Sequence, residues 1–345
     1  LFRHGLRTPT KTYTNDPYTE AFWGVPWGEL STQGMAQQFA QGKRMRKMYV
    51  EDTPLVGPKY SRYETYVRSA DFPRCSQSAQ ANLAAFYAGS PTFPNDVTDW
   101  PSNWTPIPIH TVPHDEDHVL EGYEPEVCPK FIQLKIDRLQ TREFLDFVAS
   151  NWKLLYVINA NTGDPEDYTF GAIAQLFASL SVEKDFNLTL PDWVTDEFYA
   201  DLEIANNKGV DYTLGEVGFG LSMNPEMIKL STGFLLNEWI GNIKEVLNGT
   251  SSVKYYAYSG HDMMISSLLI GLGVKQSLIG AVLPDYASTI ACELWEKDGA
   301  NFIKVLILNK MIEIENLKKM ISGCDADLCP IQQFMKMMDQ FVASD

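Results

Sequence analysis

The sequence predicts an α/β fold whose core is interrupted by a helical insertion. An aromatic and β-branched run over residues 253–258 leads through Ser259-Gly260 into a helical pattern that begins at Asp262, which indicates a strand, a turn and a helix in succession. Between residues 119 and 225 the pattern changes to helical segments separated by acidic residues. Near the C-terminus, Asp298-Gly299 separates two strand-like runs and is a hairpin signal.

The other elements follow from the same patterns in chain order. Apolar residues recur every three or four positions over residues 31–50, and Thr32 is placed to cap this amphipathic helix. A second helix is expected over residues 76–87, just after Arg74. Residues 107–112 alternate in strand fashion, and their prolines restrict such a strand to an edge or an end. The remaining expectations are helices around residues 131–157, 168–180, 195–205 and 226–247 and strands over residues 287–294 and 302–308.

The length and charge bound the organisation and the partners. A chain of 345 residues forms one large or two intimate domains, and we expect an α/β core of residues 1–114 and 226–345 with a helical cap of residues 115–225. Lys and Arg number 28 against 44 Asp and Glu, a formal net charge of −16. Because no Lys/Arg run offsets it, we expect no nucleic-acid partner. The longest apolar stretch, residues 265–273, predicts no membrane span.

The cysteines and sequons bear on the cellular compartment. The five cysteines are Cys75, Cys128, Cys292, Cys324 and Cys329, and they show no metal-like spacing with histidine, so we expect no zinc site. Sequons at Asn103, Asn187 and Asn248 suit a glycosylated secretory protein, although such triplets also arise by chance. The chain starts at Leu1 without a signal peptide's apolar core, so either a leader has been removed or the chain starts inside its first element.

The most informative segment is the first nine residues, Leu-Phe-Arg-His-Gly-Leu-Arg-Thr-Pro. Arg3 and Arg7 offer planar forks that match phosphate oxygens, and His4 offers a neutral nitrogen that can attack phosphorus. Gly5 lets the backbone approach other groups closely. This motif resembles the hallmark of the histidine acid phosphatases, within the phosphoglycerate-mutase-like superfamily. The resemblance implies a three-layer, mostly parallel sheet core with an inserted helical cap, and a phosphohistidine mechanism with His4 as nucleophile.

Two further motifs extend the resemblance. His261-Asp262 lies between a predicted strand and a predicted helix, where ligand sites form in α/β sheets. By resemblance, His261 contacts phosphate and Asp262 is the proton donor. Arg74 aligns with the family's third phosphate-binding arginine, and a helix N-terminus adds N–H groups that attract anions. Arg68 is the competitor for that role, and a structural salt bridge is expected for it instead. His110 is expected in the core or a pocket wall, with substrate contact as the minority reading.

The resemblance covers nearly the whole chain and is greatest to the animal prostatic and lysosomal acid phosphatase branch. It implies small-molecule phosphate monoesters as substrates, no metal or other cofactor, an acid pH optimum, a secreted or lysosomal location and homodimers in many relatives. It also implies a Cys324–Cys329 disulfide, a partner for Cys128 beyond Asp345 and a buried Cys75 thiol. Met263-Met264 replaces a small hydroxyl pair, and Gly260 stands where alanine is common, so we expect altered substrate preference rather than inactivity.

Three functions remain open from the sequence. The first is an acid phosphatase with wide substrate tolerance that uses His4 and Asp262. The second is a narrower relative, such as a phytase or a lysophosphatidate phosphatase, although the strongly acidic chain argues mildly against inositol polyphosphates. The third is a non-catalytic secreted binding protein or antigen with the same fold, which the complete set of motif residues disfavours.

Overall fold

A seven-stranded sheet forms the centre of the molecule. The computed structural model describes residues 1–90, 92, 94, 96–101, 104–308, 315–316, 324 and 328–343. The strands are β1 (Phe2–Arg3), β2 (Thr65–Ser69), β3 (Tyr255–Gly260), β4 (Thr289–Lys297), β5 (Ala300–Leu308), β6 (Glu315–Asn316) and β7 (Cys329–Pro330). Their order is β2-β3-β1-β4-β5-β6, with β7 also paired to β5.

The strand directions explain where a site can form. β2, β3 and β1 pair in parallel, with Phe2 opposite Ser259 and Arg3 opposite Gly260. The pairs from β1 to β4 and beyond are antiparallel. Because parallel strands end at the same edge, the segments that follow β1, β2 and β3 leave the sheet side by side. Asp298 and Gly299 form the predicted hairpin turn between β4 and β5, and both have positive φ, as that turn requires.

Helices connect and cover these strands. They are α1 (Glu20–Trp23), α2 (Thr32–Arg46), α3 (Pro73–Phe86), α4 (Pro129–Leu139), α5 (Arg142–Ser150), α6 (Trp152–Asn161), α7 (Phe170–Asp185), α8 (Asp196–Thr213), α9 (Pro225–Leu247), α10 (Asp262–Gly271), α11 (Lys275–Leu278) and α12 (Ile331–Met338). A wider π turn, Lys47–Asp52, continues α2, and a 3-10 turn spans His114–Glu116. The segment predicted around residues 131–157 is thus three helices rather than one.

Helix boundaries differ from the expectations where capping groups decide them. Ser31, not Thr32, caps α2, because its hydroxyl accepts the Gly34 N–H at 3.0 Å. Helix α3 begins at Pro73, whose missing N–H suits a first helical position, so Arg74 lies inside the first turn instead of before the helix.

The segment over residues 107–112 does not form the strand that was predicted. Only His110 pairs with β2: its N–H donates to the Val67 carbonyl, and its carbonyl accepts from the Ser69 N–H, both at 2.9 Å. Pro106, Pro108 and Pro113 cannot donate to a ladder, so the pairing does not extend. The contact is nevertheless at the β2 edge of the sheet, as expected from the prolines.

Helices pack on both faces of the sheet, which makes three layers. On one face, α2 and α3 join the sheet through the buried residues Phe2, Met45, Val67, Leu83, Phe86 and Leu306. On the other face, α9, α10 and α12 join it through the buried residues Leu235, Ile265, Leu268, Ile290, Ile307 and Phe334. The predicted α/β class and the three-layer arrangement are confirmed.

A separate apolar cluster holds the helices between residues 139 and 219. Its buried members from these helices include Phe144, Leu155, Ile173, Leu180, Leu202 and Tyr212. Tyr13, which follows β1 in the sequence, is also a buried member of this cluster. Leu120 and Phe131 pack instead with α9 and α10. We therefore propose that the cap is smaller than the predicted residues 115–225 and consists of the helices that contribute to this cluster.

Two glycines allow the first turn of α2 to lie directly against the segment that follows β1. A Cβ on Gly5 would overlap the backbone of Gly34, and a Cβ on Gly34 would overlap the carbonyl oxygen of Leu6. The backbones touch because neither residue carries a side chain. The close approach that the sequence assigned to Gly5 is therefore present.

We expect Gly34→Ala to lower the free energy of unfolding by roughly 1–3 kcal/mol or more, because the added methyl has no space. Gly241→Ala is the matched control, since Gly241 also lies inside a helix but has nothing within 4 Å of its Cβ position. The control should be neutral or stabilising by about 0.5–1 kcal/mol. Urea denaturation of both variants measures the difference, and equal stabilities would contradict the proposed contact.

Candidate active site

The structure brings all six residues of the sequence motifs to one edge of the sheet. His4 follows β1, His261 follows β3, and Asp262 begins α10. The ring centroids of His4 and His261 are 5.4 Å apart, and Arg3 Nη2 lies 2.6 Å from Asp262 Oδ2. Arg7 and Arg74 lie close enough to His4 to act on its charge. These groups thus form one cluster at the carboxyl ends of β1 and β3.

Hydrogen bonds from both sides fix the backbone of the first motif. The His4 N–H donates to the Gly260 carbonyl at 3.0 Å, which ties it to β3. Helix α3 accepts the Gly5 N–H on the Ser78 hydroxyl at 3.1 Å. Helix α2 supplies Gln38, whose amide donates to the Arg3 carbonyl at 2.6 Å. The strand and the two helices therefore fix the backbone that carries the His4 imidazole.

His4 is held as a neutral imidazole. Its Nδ1 lies 2.8 Å from the Gly5 carbonyl, which can only accept, so the proton is on Nδ1 and Nε2 keeps its lone pair. Burial lowers the pKa of His4 well below its ordinary value, and the positive charges of Arg3, His261, Arg7 and Arg74 lower it further. A neutral ring with a free nitrogen is the form that can act as a nucleophile.

His261 has the opposite charge preference. Its Nε2 lies 3.0 Å from Glu121 Oε1 and 3.6 Å from the Cys75 sulfur. Burial works against the charged ring, but the contacts with Cys75 and Glu121 outweigh it and raise the pKa of His261 to about 10. The two neighbouring histidines are therefore neutral and cationic, respectively, at neutral pH.

Arg3 and Asp262 form a buried ion pair beside the two rings. Arg3 also donates to the Pro284 carbonyl at 2.6 Å, and its guanidinium carbon lies 3.9 Å from the ring centre of Tyr286. Burial alone would raise the pKa of Asp262, but Arg3, His261 and Arg7 outweigh it and hold that pKa below its usual range. Asp262 is therefore a carboxylate before any anion binds.

The arginines retain donors for an anion. The Nε atoms of Arg3, Arg7 and Arg74 are buried and have no hydrogen-bond partner within the described part of the chain. Arg74 stacks on Phe72, with 4.4 Å from its guanidinium carbon to the ring centre. A buried guanidinium with unused donors is costly unless a ligand pairs with it. The pocket is thus built for a small anion such as a phosphoryl group.

Arg68 has the structural role that the sequence predicted for it. It lies 2.6 Å from Asp117 and 3.1 Å from Glu238, and it is directed away from the motif residues into these pairs. His110 is not the core or pocket-wall residue that was expected. Its side chain is exposed and stacks on Tyr66 with 4.9 Å between ring centres, because it lies on the outer edge of β2.

Sequence reasoning missed Glu121 and Tyr286, and it missed the contact between Cys75 and His261. Glu121 falls in no motif and in the predicted cap, although its side chain is fully buried beside the site. Tyr286 carries no chemical signal apart from its place in a stretch that resembles the family. The only available sequence signal for Cys75 was that it adjoins Arg74.

The other sequence predictions concern residues 260 and 264, the cysteines and the sequons. Met264 is fully buried in the apolar core, and a Cβ on Gly260 would make only ordinary contacts. The Cys324–Cys329 disulfide is present, and Cys75 is a free, buried thiol, as predicted. Cys128 and Cys292 are also free.

Asn187 and Asn248 are exposed, whereas Asn103 lies outside the described residues. Among the described helices, none is both long and apolar enough to cross a membrane.

The chain is similar to known proteins over its whole length. A family model described as "Histidine phosphatase superfamily (branch 2)" matches residues 1–308. Prostatic acid phosphatase of Mus musculus is 31% identical over 352 residues, which cover 100% of this chain and 86% of that protein. Lysosomal acid phosphatase of Homo sapiens is 30% identical over 347 residues, which cover 100% of this chain and 77% of that protein.

Solved structures with the same fold have more distant sequences. The apo form of Hafnia alvei phytase aligns with a TM-score of 0.67 at 15% identity, over 99% of this chain and 95% of that one. The phytase from Citrobacter braakii gives 0.65 at 14% identity, over 99% of this chain and 96% of that one. At such identities the likeness shows the fold alone.

Substitution of two arginines should separate binding from stability. We expect Arg74→Met to weaken inorganic phosphate binding about 10- to 100-fold with little loss of stability, because charge-assisted hydrogen bonds are lost only in the complex. Arg68→Met should instead lower the free energy of unfolding by about 3–5 kcal/mol, because it leaves Asp117 buried and unpaired. Calorimetric titration and thermal unfolding measure the two effects, and a stability loss confined to Arg74→Met would reverse the assignment.

Proposed function

Because this chain belongs to branch 2 of the histidine phosphatase superfamily and is a phosphoric monoester hydrolase, we propose that it works through a phosphohistidine on His4. The observation that carries the proposal is the neutral His4 imidazole, with its free Nε2, beside three guanidinium groups that have unused buried donors. We assign His4 as nucleophile, Asp262 as proton donor, and Arg3, Arg7, Arg74 and His261 as the phosphate clamp.

In the first step, Nε2 of His4 attacks phosphorus in line while the ester oxygen leaves. The N–P bond forms as the P–O bond to the alcohol breaks, and Asp262 transfers a proton to the leaving oxygen. The clamp neutralises the charge on the equatorial oxygens and holds the phosphoryl group in the attack geometry. Guanidinium and imidazolium groups supply the positive charge in this scheme, so it requires no metal or cofactor.

Binding of substrate prepares Asp262 for this role. In the free enzyme its carboxylate pairs with Arg3 at 2.6 Å. A phosphate dianion attracts the same guanidinium and adds negative charge, and both effects raise the pKa of Asp262. The proton donor is therefore generated in the complex, and an acidic medium favours it.

In the second step, water attacks phosphorus and breaks the N–P bond. Asp262, now a carboxylate, takes a proton from the water, and His4 leaves as the neutral ring that its low pKa favours. Phosphate and free enzyme result. The same clamp stabilises both transfers, because the equatorial oxygens occupy the same positions in each.

Substrate breadth and location follow from the relatives and the surface. We propose a broad phosphomonoesterase of the secretory pathway or lysosome, glycosylated at the exposed Asn187 and Asn248, that forms homodimers and binds no nucleic acid. The net charge of −16 disfavours highly anionic substrates such as inositol polyphosphates. Rates on an aryl phosphate, inositol hexakisphosphate and lysophosphatidate, each with and without vanadate, distinguish this enzyme from a narrow phytase or lipid phosphatase and from a non-catalytic binding protein.

We expect His4→Ala to abolish turnover and covalent labelling together. Wild-type enzyme is quenched with an alkaline denaturant during turnover of a phosphorus-labelled ester, because the N–P bond of a phosphohistidine is stable in base. The label should then be found on the peptide that contains His4. His118→Ala is the control, since His118 is an exposed histidine that packs on Phe234. Unimpaired turnover by His4→Ala, or label at another residue, would remove His4 from the nucleophile role.

The effect of Asp262→Asn should depend on the leaving group. Hydrolysis of an alkyl phosphate should fall about 10²–10⁴-fold, because the departing alkoxide then receives no proton. Hydrolysis of a nitrophenyl phosphate should fall much less in its first step, because that leaving group is stable without one. Burst-phase kinetics on the two esters measure the first step alone, and an equal loss on both would exclude Asp262 as the proton donor.

The pH dependence follows from the protonated state of Asp262. Asp262 is an acid whose pKa is held low in the free enzyme, so rising pH removes the required proton and kcat/KM should fall. The decline on the alkaline side should approach about tenfold per pH unit for a single group. With an alkyl phosphate, the residual activity of Asp262→Asn should lose this limb. A wild-type rate that rises through neutral pH would contradict the assignment.

A further inference from the structure

The two site histidines share their surroundings yet differ in charge, and one carboxylate accounts for the difference. His4 and His261 are both buried, with ring centroids 5.4 Å apart, and burial disfavours the charged form of each ring. Such surroundings keep an imidazole neutral, as they do for His4. Only His261 contacts a carboxylate through its ring nitrogen, and that carboxylate belongs to Glu121.

Hydrogen bonds within residues 117–123 hold Glu121 in place. Its Oε2 accepts the Tyr123 hydroxyl at 3.1 Å, and its N–H donates to the Asp117 carbonyl at 3.0 Å. Asp117 also accepts the N–H groups of Val119 and Leu120, so the turn is fixed by the Arg68 pair described above. The carboxylate itself is fully buried. A buried carboxylate is costly unless it is paired with a cation, and the nearest one is protonated His261.

Cys75 contacts the same ring and contributes to its raised pKa, but a neutral thiol supplies no counter-charge to a buried imidazolium. The thiol is fully buried, and its sulfur lies 3.7 Å from the Gly260 carbonyl, to which it can donate only as a neutral S–H. A thiolate there would face a carbonyl oxygen without solvent. The negative charge at the ring therefore comes from Glu121.

We propose that Glu121 is a positioning residue of the phosphate clamp, which orients the His261 ring and keeps it cationic so that phosphate binding continues above the acidic range. This inference rests on the proposed role of His261 in the clamp. The titratable groups that face the His261 ring are Cys75 from α3, Glu121, Tyr123 and Glu124 from the segment before α4, His4 after β1 and Asp262 from α10. The cations of the clamp then outnumber Glu121 and Asp262 by two charges, which matches a phosphate dianion.

The first test is a titration of His261 itself. The chain has five histidines, so ring NMR signals can be resolved and the His261 signal assigned from its loss in His261→Asn. In the wild type we expect a midpoint well above neutral pH. In Glu121→Gln it should fall by at least about three pH units, into the ordinary histidine range, because the burial of the ring then dominates. A wild-type midpoint near or below the ordinary histidine value would overturn the proposal without any variant at position 121.

Three further variants show which group causes the shift in the His261 midpoint. Glu126→Gln removes an exposed carboxylate in the same segment and should leave the midpoint unchanged. Glu121→Asp retains the charge at a greater distance and should restore part of the shift. Cys75→Ser should move the midpoint less than Glu121→Gln does. A larger shift in Cys75→Ser would transfer the role to the thiol and overturn the proposal.

The functional measurement is inhibition by inorganic phosphate across pH. We expect Glu121→Gln to bind phosphate more weakly than wild type by a factor that grows between pH 5 and pH 8 and reaches roughly tenfold or more. A purely structural role would give the same loss at every pH, and that result would refute the proposal. The NMR titration needs no turnover, so it is independent of the His4 assignment. If His4 is not the nucleophile, the covalent label will be missing from its peptide while His261 still titrates as expected.

Discussion

The pairing of β1 with β3 and β4 is the interaction on which the site depends. This strand has two residues, yet its hydrogen bonds place Arg3 opposite Gly260 and bring His4 next to His261. Because the pairing with β3 is parallel, both chains leave the sheet at the same edge, and the reactive groups converge without a long loop. The glycine contact between Gly5 and Gly34 then sets how closely α2 can approach. A shift in the pairing of β1 with β3 would separate His4 from His261 and Asp262.

The pocket also resolves an electrostatic conflict. Several cations are gathered in a buried space, which is unfavourable before an anion arrives. Two carboxylates reduce this cost: Asp262 pairs with Arg3, and Glu121 contacts His261. The remaining positive charge is available to the ligand. An overall charge of −16 is compatible with such a site, because net charge describes the surface and the arginines act locally.

The sequence predicted the residues that belong to short motifs better than the residues whose contacts depend on tertiary packing. The family, the six motif residues, the structural role of Arg68 and the Cys324–Cys329 disulfide follow from patterns of neighbouring residues. Glu121 could not be found in this way, because its contact with His261 joins residues 140 positions apart through a turn held by Asp117. His110 was wrongly predicted in the core or a pocket wall for the same reason, because the order of strands in the sheet decides whether a segment lies at its edge or in its interior.

Tyr13 has a consequence for how such enzymes diversify. This residue follows the catalytic motif by only a few positions, yet it is buried in the apolar cluster of the helical segment. The helical segment is therefore not an independent appendage that can be exchanged at its two chain ends. A functional chimera that imports a different set of these helices would have to import position 13 with them, so sequence change in the helices is coupled to sequence change beside the motif at residues 3–7.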